Sequence, residues 1–298
     1  MIIGELESTA RALAAKGKGL LAADESFPTI KKRFEALGIE STEETRRAYR
    51  EMLFTTAGIE EFISGVILFD ETMRQKAGDG RSFVDVLKGK GIIPGIKVDK
   101  GTVSMPGFPG EKFTAGLDGL GERLAEYRDL GAKFTKWRAV ITIGPGMPTR
   151  ENIIANAHGL ALYAALAQDA GLVPVVEPEV LMDGDHDIAR CADATEAALA
   201  AVFSALREYR VKLDGVLLKP NMVLPGKKSP KQSSVGEVAE ATLRCLRRTV
   251  PAAVPGIMFL SGGQTPEQAT AHLNAMNRIG PHPWEIGFSY ARALQEPP

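Results

Sequence analysis

The chain places a lysine at the end of a short apolar run and directly before a proline, in Gly215-Val216-Leu217-Leu218-Lys219-Pro220-Asn221-Met222. An ammonium at the mouth of a buried strand loses hydration, which lowers its pKa from about 10.4 and frees a neutral amine to attack a carbonyl. A lysine that ends a strand and snorkels to solvent leaves the same local signature, so its company must decide. That company is a repeated pattern of ionisable groups two residues apart in Ile96-Lys97-Val98-Asp99, Phe134-Thr135-Lys136-Trp137-Arg138 and Val175-Val176-Glu177-Pro178-Glu179. Such spacing puts both groups on one face of a strand. Glu177 and Glu179 are then candidates for an acid/base and an electrostatic partner, and Lys136 for a cation that depresses Lys219 by repulsion. Asp24, in Ala22-Ala23-Asp24-Glu25-Ser26, closes a further apolar run.

These residues need elements that bring them together. Strand candidates end at Asp24, Asp70, Lys97, Lys136, Glu177, Lys219, Ser261 and Ser289-Tyr290, eight in all, the number that closes a parallel α/β barrel. Successive intervals from Lys97 to Lys136, Glu177, Lys219 and Ser261 are 39, 41, 42 and 42 residues, room for one strand, one helix and two loops. Helical periods over Thr42 to Ala57, Thr149 to Ala170 and Asp193 to Arg210 fill the gaps, and Thr265-Pro266-Glu267-Gln268 has the signature of a helix start. No glycine-rich nucleotide fingerprint follows an early strand, which disfavours a doubly wound sheet. The expected architecture is a single (β/α)8 TIM barrel domain over residues 1–298, with its functional groups at the C-terminal strand ends.

At that end Lys97, Lys136, Arg138, Lys219 and Arg292 outnumber Asp24, Glu177 and Glu179, a local field suited to a phosphorylated substrate. Ser261-Gly262-Gly263 before a helix offers backbone N–H donors without bulky side chains, and Arg292 adds a two-pronged guanidinium. The segment Pro225-Gly226-Lys227-Lys228-Ser229-Pro230-Lys231-Gln232-Ser233-Ser234 reads as a solvated connector rather than a lid.

Composition narrows the function classes. A chain of 298 residues with 44% hydrophobic content can bury a large core, and a net charge of −1 argues against nucleic-acid or membrane-surface partners. Two cysteines, Cys191 and Cys245, fit a reducing compartment, so a cytoplasmic address is expected. No apolar stretch reaches membrane-spanning length and Met1 to Ala15 lacks a signal-peptide pattern. The four histidines are scattered, and Asp183-Gly184-Asp185-His186-Asp187 lacks the calcium-loop pattern, so no metal is expected.

The segments Leu21-Ala22-Ala23-Asp24-Glu25-Ser26, Gly95-Ile96-Lys97-Val98-Asp99-Lys100-Gly101, Lys136-Trp137-Arg138, Val176-Glu177-Pro178-Glu179, Leu218-Lys219-Pro220-Asn221-Met222, Leu260-Ser261-Gly262-Gly263-Gln264 and Phe288-Ser289-Tyr290-Ala291-Arg292-Ala293-Leu294 together resemble the signatures of class I fructose-bisphosphate aldolase, in family order across nearly the whole chain. The resemblance implies metal-independent, reversible cleavage of fructose 1,6-bisphosphate to dihydroxyacetone phosphate and glyceraldehyde 3-phosphate, with no cofactor beyond a lysine Schiff base. It implies Lys219 as the Schiff-base lysine, Glu177 as general acid/base, Asp24 orienting substrate hydroxyls, and Lys136 and Glu179 shaping the charge. Ser261, Gly262 and Arg292 would hold the C1 phosphate, while Arg33, Lys97, Arg138 and Thr29 would serve the distal end. It also implies a homotetramer. The residues by themselves leave two other readings: another lysine-dependent barrel such as a transaldolase or deoxyribose-phosphate aldolase, or a scaffold without turnover.

Two departures from the family pattern stand out. Phe27-Pro28 replaces the frequent Thr-Gly, so the loop carrying Thr29 and Arg33 is expected to sit differently. Much of the family continues into a mobile tail whose terminal tyrosine assists proton exchange, whereas this sequence stops at Glu296-Pro297-Pro298. If that tail is naturally absent, cleavage is expected to persist with enamine protonation that is slower or uses another group.

Overall fold

The computed structural model describes residues 2–296; Met1 and the Pro297-Pro298 end lie outside them. Eight parallel strands close on themselves: β1 (Gly19–Ala23), β2 (Ile63–Leu68), β3 (Ile93–Lys97), β6 (Phe134–Ile141), β7 (Val173–Val180), β8 (Leu217–Leu218), β9 (Gly256–Phe259) and β10 (Glu285–Tyr290), with β10 pairing back onto β1. The remaining pair, β4 (Thr102–Ser104) and β5 (Lys112–Thr114), forms a small antiparallel hairpin after β3. The barrel expected from the sequence is thus the fold observed.

Why these runs make a closed barrel follows from their burial. β1, β2, β7 and β9 are buried along their whole length, as strands must be when one face lines the barrel and the other is covered by helices. Leu20, Ile67, Phe134, Val175, Leu217 and Met258 fill the interior, and Leu13 and Ala14 from the N-terminal segment plug its lower end. Gly65 and Gly95 make room for Phe134: a Cβ on Gly95 would lie 2.4 Å from that ring. The outer core lies between strands and helices and contains Trp137, Tyr163, Phe54 and Phe83.

Helix starts follow the local signals. Thr42 and Thr45 form a reciprocal cap on the Glu43–Thr55 helix, Thr149 caps Arg150–Asp169, and Thr265 with Gln268 caps Pro266–Ile279. One boundary differs: the helix expected from Asp193 begins at Ile188, because the Asp187 carboxylate accepts from the Arg190 N–H at 2.8 Å and opens it five residues earlier. Asp193 lies on its exposed side.

β8 is the shortest barrel strand. Leu213–Gly215 forms a single tight turn, so the strand begins later than the apolar run suggests. Its ladder is extended past Leu218 by the Lys219 N–H to Val176 O (2.8 Å) and by Pro220 O accepting from Leu260 N–H (3.1 Å). Asn221 then locks the turn, its Oδ1 accepting from the Val180 N–H at 2.9 Å. The connector beyond is anchored: Gly226, Lys227 and Lys228 donate backbone bonds of 2.8 Å each to His186, Met182 and Gly184 in the loop after β7.

Candidate active site

Strand register decides which charges meet. Lys97 on β3 lies level with Lys136 on β6, and Arg138 lies level with Glu177 on β7. Each of these strands carries charge toward the same rim, which opens into a cavity of about 860 Å³. All twelve residues singled out in the sequence line it: Asp24, Thr29, Arg33, Lys97, Lys136, Arg138, Glu177, Glu179, Lys219, Ser261, Gly262 and Arg292. Phe27-Pro28 therefore does not displace Thr29 and Arg33 from the mouth; Pro28 sits in the first turn of the Phe27–Ala36 helix that presents both.

The floor is a chain of buried ion pairs. Lys219 Nζ stands 3.1 Å from Glu177 Oε1, Glu177 Oε2 stands 3.4 Å from Lys136 Nζ, and Lys136 Nζ stands 2.6 Å from Asp24 Oδ2. Lys136 thus does not act on Lys219 as a bare neighbouring cation, because Glu177 lies between the two. Burial pushes the Asp24 carboxyl upward, but the charges of Lys136 and Lys219 and the hydrogen bond from Lys136 outweigh it and hold the group at about 2. For Lys136, burial pulls downward and the carboxylates of Asp24, Glu177 and Asp99 more than reverse it, so its ammonium lies above the ordinary lysine range.

Around the rim Lys97, Arg138 and Arg33 each pair with a carboxylate. Lys97 donates to Asp99 Oδ1 at 2.6 Å and to the Asp99 carbonyl at 2.7 Å. Arg138 pairs with Glu179, and Arg33 pairs with Glu25, which also holds Arg50 at 2.7 Å in a fully buried contact. Arg33 further donates to Gln295, which reaches back to the Ala22 carbonyl at 3.2 Å. An anion bound at these cations would share or exchange these partners, and planar guanidinium groups can do so two bonds at a time.

Opposite these cations, Ser261-Gly262-Gly263 turns into the capped Pro266–Ile279 helix, whose N-terminal N–H groups favour anions. A Cβ on Gly262 would come within 3.0 Å of Glu179 Oε1, and Gly263 has φ of +80° with Met182 2.7 Å from its Cβ position. Only glycine fits both constraints at Gly263.

Sequence reasoning gave no role to Asp99, Glu25 or Ser289. Asp99 holds Lys97 and also accepts from the Gly101 N–H (3.1 Å) and the Arg138 N–H (3.3 Å). Ser289 lines the cavity with its hydroxyl buried and without a hydrogen-bond partner among the described residues. All three stand in strand-end segments already recognised, so position within those segments was the available signal.

Residues 5–297 match the family model for fructose-bisphosphate aldolase class-I. The chain belongs to the class I fructose-bisphosphate aldolases. It is 59% identical over 296 residues to a probable fructose-bisphosphate aldolase class 1 of Xanthomonas campestris, covering 99% of this chain and 89% of that protein. It is 57% identical to fructose-bisphosphate aldolase 1 of Toxoplasma gondii, covering 98% and 81% respectively. Among solved structures, the Plasmodium falciparum fructose-bisphosphate aldolase, crystallised with TRAP and a small-molecule inhibitor, superposes with a TM-score of 0.98 at 52% identity, over 99% of this chain and 86% of that one. As a class I aldolase the protein cleaves fructose 1,6-bisphosphate reversibly through a Schiff base without a metal, which sets aside the transaldolase-type and scaffold readings.

Proposed function

We propose that Lys219 is the nucleophile of this aldolase and Glu177 its acid and base, a reading carried by the 3.1 Å contact between them at the floor of the cavity. Glu177 takes a proton from the Lys219 ammonium, and the amine adds to the C2 carbonyl of the open-chain ketose. The carbinolamine hydroxyl then leaves as water with the proton returned by Glu177, giving an iminium. Glu177 next accepts the C4 hydroxyl proton as the C3–C4 bond breaks, the electron pair flowing into the iminium to form an enamine and release the aldehyde. Protonation at C3 and hydrolysis release the ketone phosphate and restore the amine.

The other residues act on position and field. Lys136, pinned by Asp24 and Glu177, keeps a positive charge beside the base throughout, and Asp24, ionised at neutral pH, accepts from substrate hydroxyls. Glu179 holds Arg138 at the rim. Ser261, Gly262 and Arg292 take the C1 phosphate, and Arg33, Lys97, Arg138 and Thr29 the distal one. Replacing Glu177 with Gln should lower kcat about 100- to 10,000-fold while KM changes little; an unchanged kcat would remove Glu177 from the mechanism.

The same reading includes the absence of any cofactor, a homo-oligomer and a cytoplasmic setting. Family membership supports the first two. The third is supported by plant relatives described as cytosolic, such as the 54% identical fructose-bisphosphate aldolase 4 of Arabidopsis thaliana. Among the described residues no helix is long and apolar enough to cross a membrane.

A further inference from the structure

Phe27 is gripped in a way the cleavage chemistry does not use. Its ring meets Phe69 edge to face at 5.2 Å, and the Arg46 guanidinium covers it at 4.8 Å. Phe69 directly follows β2 at the cavity rim. Arg46 comes from the Glu43–Thr55 helix and is itself fixed by a fork onto Glu71 at 2.7 and 2.6 Å. Residues from two separate segments thus converge on one ring that remains about half exposed, 48%.

What the ring holds is the start of the Phe27–Ala36 helix. That helix buries only Ile30 and Phe34, and Ser26 makes no side-chain bond to its first N–H groups. Pro28 stiffens the same turn. Ser26 and Thr29 lie just before and after this pair, with hydroxyls 3.1 Å apart, and both line the cavity with Arg33.

We infer that Phe27 is a positioning residue for the distal phosphate: clamped between Phe69 and Arg46, it sets the helix turn that presents Ser26 and Thr29 and aims Arg33. The inference rests on the distal-phosphate reading of Thr29 and Arg33 given above. The clamp lies at the rim, away from Lys219 and Glu177, so it acts on substrate binding at one end and leaves bond cleavage alone.

The test is steady-state kinetics of the full chain with fructose 1,6-bisphosphate and with fructose 1-phosphate, for Phe27→Thr, Phe27→Tyr and Arg33→Ala. Phe27→Thr is expected to raise KM for the bisphosphate about fivefold, an effect near 1 kcal/mol, with kcat and the KM for fructose 1-phosphate within about twofold of wild type. Phe27→Tyr, which keeps the ring, is expected to behave as wild type. An equal rise for both substrates, or none for either, overturns the inference. If Arg33→Ala raises the bisphosphate KM and Phe27→Thr does not, the clamp alone fails; if Arg33→Ala has no effect, the distal-phosphate reading fails and the clamp with it.

Discussion

At the residue scale, the proposed chemistry rests on a line of alternating charges from Lys219 through Glu177 and Lys136 to Asp24. Asp24 titrates at about 2 in the folded chain against an ordinary 3.8, so its depressed pKa contributes stability above pH 4 that is lost as pH falls toward 2. The full contribution is about 2 kcal/mol. Urea unfolding at pH 5 and pH 3 should therefore show a smaller acid-side loss in Asp24→Asn than in wild type, and equal losses would contradict the assignment. Lys136 titrates above its ordinary value, so its stabilisation is complete below about pH 10 and wanes only in stronger alkali. A second prediction concerns Asp99, which holds Lys97 by one carboxylate oxygen while backbone N–H groups occupy both. Its change to Asn turns an acceptor into a donor facing one of those donors, so KM for the bisphosphate should rise about three- to tenfold with little change in kcat. Charges at strand ends were legible in the sequence because strand periodicity fixes their face. The Asp99 hub and the buried Glu25–Arg50 pair were not, because which partner a charge finds depends on register and on residues distant in the chain.

At the element scale, the apolar runs that end in charge all became barrel strands, and the threonine caps at Thr42, Thr149 and Thr265 marked true helix starts. Two boundaries were less legible. The Ile188–Glu208 helix begins at Asp187 within a run of alternating charges that resembles a loop, and β8 is cut short by the turn at Leu213–Gly215. Both are settled by single hydrogen bonds rather than by periodicity. The barrel floor makes a sharper demand: Phe134 occupies the space over Gly95 and Gly65. Gly95→Ala should destabilise the fold by about 1 to 3 kcal/mol, read as a lower urea midpoint with unchanged slope. A midpoint equal to wild type would mean that Phe134 moves aside without cost.

At the scale of the whole molecule, a near-neutral chain places a small surplus of cations around one cavity of a closed barrel, which the net charge of −1 conceals. The eight strand ends and their spacing of about 40 residues made this architecture legible, because a parallel barrel directs every strand toward the same mouth. The central claim is that Lys219 forms the covalent intermediate. Its most direct test is borohydride reduction in chelator-treated buffer, with and without dihydroxyacetone phosphate, followed by peptide mapping. The account predicts substrate-dependent loss of activity with one adduct, on Lys219, and none in Lys219→Ala. An adduct on another lysine, or full activity retained after reduction in the presence of substrate, would contradict it.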